Sequence, residues 1–499
     1  MTVLDKRLTW RDIAAIARGA RLDLSAAAWS RIDHAAAIVA ELVASGVRAY
    51  GINTGVGALA DTVINREQQS RLSRKIILSH ACGVGPLLED EAVRAVMAAQ
   101  IANFAHGHSG VRGLIVRNLM TMLERGCIPH VPSRGSAGYL THNAHIALVL
   151  IGEGRARLGN EDLSGRDALA RCGLEPIVPG AKEGLSLVNG TACSTGILSL
   201  ALARAEALLD WTDAAAALTF EAAGGQITAY REDVLALHRS PGLSASGKAL
   251  RGYLEGSRIL AASEGRRTQD PLSLRAVPHA HGAARDMFAF AAQAVDNELG
   301  SVTDNPAVSG TPDAPLVWSE AHAVSPALGQ AADGLALSLA QIGMMSERRI
   351  DRLVNPLVSG LPGFLARDAG ENSGFMIAQY TASALCSENR RLAAPASTDG
   401  GVTSGLQEDF LAHPTAAANK LMGIIANFEY ILAIELMAAA QAHDLRSGEA
   451  ARAPGTELIH HFVRQHIAPY ADDRPLGDDI EALRQAIRAE NAPATTHGD

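Results

Sequence analysis

Four short stretches of this 499-residue chain concentrate side chains able to move protons or grip small polar molecules. The first is Tyr50-Gly51-Ile52-Asn53-Thr54-Gly55-Val56-Gly57. A tyrosine opening a glycine-rich loop can present its hydroxyl to a cavity, and a lowered phenol pKa would make it a general base. Standing alone, the same motif is an ordinary surface turn. It lacks Gly-Lys-Ser/Thr and any glycine fingerprint after a strand, so a phosphate-binding role is excluded. The second stretch is Gly135-Ser136-Ala137-Gly138-Tyr139-Leu140-Thr141-His142-Asn143-Ala144-His145. The third, Leu187-Val188-Asn189-Gly190-Thr191, opens a long helical segment, where free backbone N–H groups favour an anion or a polarised amide. The fourth combines Gln269 to Arg275, Ser301 to Pro306 and Gln407-Glu408-Asp409. An arginine and an amide in loops suit a bidentate grip on a carboxylate, and a glutamate suits a cationic or N–H-bearing ring. The pairs His106/His108 and His279/His281 have no third ligand at metal-binding spacing and are expected to be hydrogen-bonded histidines, with no metal.

Such groups need stiff elements behind them. Apolar residues recur at three- and four-residue spacing over 26–46, 67–81, 90–105, 111–125, 193–223, 284–299, 325–352, 375–393 and 415–443. The 325–352 stretch alone would reach about 40 Å at 1.5 Å per residue. Strand-like alternation is confined to 47–52 and 226–230. The expected fold is therefore mainly α, built on a long central helix bundle with few short strands. Gly/Pro-rich breaks at 51–57, 131–138, 152–154, 179–180, 400–405 and 451–455 supply the loops in which reactive groups sit. The expected segmentation is an N-terminal helical unit with active-site loops over 1–195, a long-helix core over 196–450 and a C-terminal helical tail over 451–499.

Composition narrows the class. A net charge of -9 with no Lys/Arg-rich run argues against nucleic acid or an anionic membrane as partner. Hydrophobic residues at 47% and charged residues at 19% exclude disorder. Alanine runs at 35–37 and 214–217 fit closely packed helices. Five scattered cysteines without CxxC spacing argue for a reducing compartment and against a disulfide framework. The N-terminus has no signal-peptide character, and the apolar stretches read as too broken for the roughly 18–20 residues of a membrane span. A cytoplasmic protein is expected.

Taken together, the four stretches resemble the histidine/phenylalanine ammonia-lyase family, over residues 45 to 430 or so. Ser79-His80-Ala81-Cys82-Gly83-Val84-Gly85, Gly107-His108-Ser109-Gly110, Lys182-Glu183-Gly184-Leu185 and Ser387-Glu388-Asn389 belong to the same pattern. The resemblance implies an almost all-helical fold of the fumarase–aspartase kind and a homotetramer whose active sites draw on three subunits. It implies a carbon–nitrogen lyase acting on a small amino acid. By position, Tyr50 looks like the base that removes the β-proton and Arg275 like the carboxylate clamp, with Asn189 and Asn305 supporting substrate. His80 and Glu408 stand at the ring-recognition positions, a pairing typical of the histidine branch.

The departures from that pattern are as informative. The family carries Ala-Ser-Gly after Gly-Ser-x-Gly, and the triplet cyclises into the electrophile methylidene-imidazolone (MIO). Here Gly138 runs straight into Tyr139, the loop is about three residues shorter, and Asp-Leu-Ala-Pro is replaced by Tyr139-Leu140-Thr141-His142. Without that electrophile, the expectation is a cofactor-free β-elimination of an amine that is already cationic. The resemblance is then to an ergothionase-like branch, which releases trimethylamine from the betaine ergothioneine and leaves thiolurocanate. Tyr139 either faces the quaternary ammonium through its ring, worth about 0.5–2 kcal/mol, or fills the vacated space. The alternatives are an MIO-dependent histidine ammonia-lyase whose cyclised triplet is not written among the residues, and a family member that binds without catalysis. Leu272 replaces a usual tyrosine and His279 a usual glutamine, while Trp318 and Glu320 fall in a rewritten stretch suited to re-lining a pocket or to no function.

Overall fold

The computed structural model describes residues 2–5, 7–45, 66–446 and 450–494, with side chains of the third stretch described from 71 onward. Tyr50, the loop Gly51 to Gly57 and the strand-like run 47–52 lie outside the described residues.

Helices dominate, as the 3.6-residue periodicity requires. Eight of the nine periodic segments match observed helices to within about two residues at each end, among them Ala26–Ser45, Asp90–Ala105, Ala192–Ala222, Pro326–Val354 and Pro414–Leu445. The segment expected over 284–299 starts earlier, as the helix Val277–Leu299, because Pro278 falls in its first turn, where a missing N–H costs nothing. The run 226–230 is not a strand. Residues Ile227–Tyr230 form a 3₁₀ turn, anchored by the buried Tyr230, whose hydroxyl donates to the Leu274 carbonyl at 2.6 Å. Two helical stretches, Glu183–Ala222 and Pro414–Leu445, are long and apolar enough to cross a membrane, contrary to the reading of broken apolar runs. Their apolar windows are 100% and 72% buried inside the protein, which is how core helices pass the same test.

The chain forms two compact units, each assembled from separated segments. The first comprises Met1–Ala203, Ala291–Asp333 and Pro395–Asn419. Its helix Asp90–Ala105 is buried from Ala92 onward except at Arg94, and a Cβ at Gly196 would lie 2.7 Å from the Val96 nitrogen, so glycine sets that helix crossing. A hairpin of Ala307–Thr311 and Ala314–Trp318, registered Ala307 to Trp318, lays Val308 on Ala35, Ile38, Val39 and Leu42 of the Ala26–Ser45 helix. Strand Val84–Leu87 pairs antiparallel with Pro132–Arg134, which brings the His80 turn beside the Gly135 loop. The second unit comprises Arg204–Phe290, Gly334–Ala394 and Lys420–Asp499. Its interior holds the stacked pair Phe220 and Tyr230, with ring centroids 4.5 Å apart.

Candidate active site

The second and third chemistry-bearing stretches, with the Ser301 to Pro306 and Gln407-Glu408-Asp409 parts of the fourth, lie in the first unit. His80 closes the helix Arg66–His80, and its Nδ1 lies 2.8 Å from the Ile76 carbonyl one turn back. A carbonyl only accepts, so Nδ1 carries the proton and Nε2 presents a lone pair. Burial pushes the His80 pKa down, against the smaller upward pull of the Ile76 carbonyl, so the ring is neutral at pH 7. The turn after His80 is fixed by a residue whose role the sequence did not reveal. His145 Nε2 accepts the Gly83 N–H at 3.1 Å, tying the turn to the helix Thr141–Leu150.

Tyr139 and Glu408, 269 residues apart, meet directly. The phenol O–H donates to Glu408 Oε2 at 2.5 Å, a short charge-assisted bond. The loop beneath is held by Ser136 Oγ, which donates to the Tyr139 carbonyl at 3.2 Å, and by Thr415 Oγ1, which donates to the Gly138 carbonyl at 3.2 Å. Between Gly135 and Thr141 the chain offers Ser136, Ala137, Gly138, Tyr139 and Leu140, and no Ala-Ser-Gly triplet. A Cβ at Gly138 would stand 2.7 Å from Pro414 Cδ, so the shortened loop is packed tight. These residues do not fit the methylidene-imidazolone.

The two asparagines also meet. Asn189 Nδ2 donates to the Asn305 carbonyl at 2.8 Å, and Asn143 Nδ2 donates to the Asn189 carbonyl at 3.3 Å. Behind Asn305, the fully buried Lys182 ammonium gives one bond each to Ser109 O (2.8 Å), Ser186 Oγ (2.8 Å) and Asp304 Oδ2 (2.9 Å). All three ammonium donors are used, while the other Asp304 oxygen, Oδ1, is buried with no hydrogen-bond partner among the described residues. Lys182 belonged to a motif read from the sequence, but its partner 122 residues away did not show in the spacing. Glu320 donates its backbone N–H to Asn305 Oδ1 at 3.0 Å, and burial pushes its carboxyl pKa up. Trp318, at the end of the hairpin, is half exposed.

Arg275 belongs to the second unit, at the end of the short helix Leu272–Arg275. With the Gln269 amide oriented by its hydrogen bonds, the Gln269 oxygen accepts from Arg275 Nε and Nη1 at 3.0 Å. Leu272 on the same helix is 62% exposed, and His279 packs edge-on against His238. Three of the four paired histidines are hydrogen-bonded into the protein: His106 to the Leu299 carbonyl, His108 to the Val308 carbonyl and His281 to Asp213. Among the described residues no group of three or more metal-ligating side chains converges.

Comparison with known proteins decides the family. The family model described as aromatic amino acid lyase matches residues 8–465. The chain belongs to the aromatic amino acid lyases. It is 43% identical to a histidine ammonia-lyase of Symbiobacterium thermophilum over 488 residues, covering 97% of this chain and 96% of that relative. It is 42% identical to a histidine ammonia-lyase of Treponema denticola over 497 residues, covering 98% and 97%. Among solved structures it resembles histidine ammonia-lyase from Trypanosoma cruzi, at 33% identity and TM-score 0.90 over 98% of this chain and 93% of that one. It also resembles the ergothionase of Treponema denticola in complex with desmethyl-ergothioneine sulfonic acid, at 28% identity and TM-score 0.91 over 98% and 99%. The family makes this protein a carbon–nitrogen lyase with the mainly helical fold of its relatives.

Proposed function

We propose that this lyase eliminates an already cationic amine from a histidine-derived betaine, releasing trimethylamine from ergothioneine and leaving thiolurocanate, with no MIO group and no other cofactor. The observation that carries this reading is the loop in which Gly138 is followed by Tyr139. Expulsion of a free amine gains from covalent activation, which this loop has no residues to supply. A trimethylammonium group needs no such help. As the Cβ–H bond breaks, its electron pair forms the Cα–Cβ double bond, and the C–N pair leaves with nitrogen as neutral trimethylamine. In this scheme Tyr50 takes the β-proton, Arg275 fixes the carboxylate, and Asn189 and Asn305 support the substrate. His80 and Glu408 orient the ring, and the Tyr139 ring faces the quaternary ammonium. The enzyme is further proposed to act in the cytoplasm as a homotetramer, in keeping with its five free thiols.

A second reading has its own support. The curated relatives at 42–43% identity are named histidine ammonia-lyases, which favours conversion of histidine to urocanate and ammonia more than it favours the betaine. Incubation with ergothioneine and with histidine, following trimethylamine, ammonia and the conjugated acrylate absorbance, separates the two. Trimethylamine with inert histidine supports the first; brisk urocanate release from histidine replaces it with the second. Intact mass checks the loop, since the written chain is 52.2 kDa and a hidden triplet would add to it. Binding of both compounds without turnover of either would mark a non-catalytic member. Tyr50→Phe is expected to abolish turnover while leaving the thermal melt unchanged.

A further inference from the structure

Two strained turns meet at the hydrogen bond between Tyr139 and Glu408. Leu140 has φ 74° and ψ -69°, and the Thr141 N–H returns to the Tyr139 carbonyl at 3.0 Å, closing a γ-turn of the rare positive-φ kind. Just ahead of Glu408, residues Ser404, Gly405 and Leu406 have φ values of 51°, 60° and 73°. Successive left-handed residues are costly for side chains other than glycine's. Such strain persists only where surrounding contacts over-determine it. Here Leu140 N–H bonds the Val188 carbonyl at 3.0 Å, Thr141 Oγ1 bonds the Gly135 carbonyl at 3.2 Å, and Thr403 N–H bonds the Glu408 carbonyl at 2.8 Å. The fold holds this pair in place at the cost of strain on both sides.

The protonation pattern follows from the partners. Glu408 Oε2 accepts the Tyr139 phenol, which leaves Oε1 as an acceptor for a ring N–H. His80, with its proton directed at the Ile76 carbonyl, offers only the Nε2 lone pair. We propose that both ring-recognition groups are hydrogen-bond acceptors, so that the site selects a ring with two N–H donors, an imidazole-2-thione or an imidazolium, over neutral imidazole, and that Tyr139 is the positioning residue that enforces this through Glu408. The inference rests on the histidine-like reading of the site and deepens it. A neutral imidazole has one N–H and one lone pair, so it leaves one acceptor facing another. An imidazole-2-thione has two N–H groups and satisfies both.

Equilibrium binding of propionates that lack the departing amine tests this without turnover. The probes are imidazole propionate, its 2-thione, and the thione methylated at one ring nitrogen, compared at pH 8.5. The thione is expected to bind about 10-fold or more tighter than the other two, the usual penalty for a site with an unpaired polar group. Tyr139→Phe and Glu408→Gln should each shrink that ratio, with the loss in turnover falling on KM more than on kcat. Equal binding of thione and neutral imidazole by the unmodified enzyme overturns the proposal, as does an unchanged ratio in a folded Tyr139→Phe protein. Thione preference without trimethylamine release would sink the elimination reading and leave this one standing.

Discussion

Glu435 shows what a single buried charge asks of its neighbours. It sits at 0% exposure and accepts from Thr219 Oγ1 at 2.8 Å, Ser346 Oγ at 2.5 Å, Arg349 Nε at 2.5 Å and Arg349 Nη2 at 2.8 Å. Removing one member of such a pair strands the other charge in a low-dielectric interior. Glu435→Leu is expected to lose about 3–5 kcal/mol in urea unfolding, and Glu435→Leu with Arg349→Met to recover much of it. His443 is the complementary case. Burial drives its pKa down to about 3, against the upward pull of the Leu218 carbonyl 3.0 Å away. The unfolded chain therefore binds a proton near pH 6.5 that the folded chain refuses until about pH 3. The contribution of this residue to stability is complete above pH 6.5 and is lost as the pH falls toward 3. At its steepest the loss is about 1.4 kcal/mol per pH unit. In His443→Gln, the slope of unfolding free energy between pH 6 and 4 should be flatter by close to that amount; an identical slope would assign the acid sensitivity to other groups.

At the scale of elements, glycines decide how near two helices come. A Cβ at Gly184 would overlap the Ser73 carbonyl and Cα, in the contact between the helices Glu183–Val188 and Arg66–His80. Gly184→Ala is expected to cost about 1–3 kcal/mol by overpacking. Because the displaced helix carries His80 at its end, the KM for a ring-bearing substrate should rise as well, which calorimetry and steady-state kinetics report separately. The same scale shows what could be read from the sequence. The long helices were legible, since each repeats its apolar residues over several turns. The hairpin Ala307–Trp318 was not, because two five-residue strands carry too few alternations to stand out beside helical ones. Of the candidate site residues, His80, Tyr139, Asn189, Asn305 and Glu408 fall in the first unit and Arg275 in the second. The site's pairings were not legible. Tyr139 on Glu408, Lys182 on Asp304 and His145 on Gly83 are set by tertiary folding over 269, 122 and 62 residues, distances across which local spacing carries no information.

For the whole molecule, the proposed tetramer makes the sharpest demand on the surface. On the helix Pro326–Val354, Leu337 and Met344 lie two turns apart on one exposed stripe, 61% and 46% accessible. On the helix Met376–Leu392, Ile377 and Tyr380 form a second, 59% and 68% accessible. Both stripes belong to the second unit, and apolar residues recurring on one helix face in water are what subunit contact removes. Light scattering should therefore give about four times the 52.2 kDa chain mass. Leu337→Glu combined with Tyr380→Glu should lower it toward the single chain. If active sites draw on several subunits, activity must fall with that dissociation, and the unmodified enzyme must lose specific activity on dilution. A dissociated variant that keeps full turnover would show that each chain completes its own site.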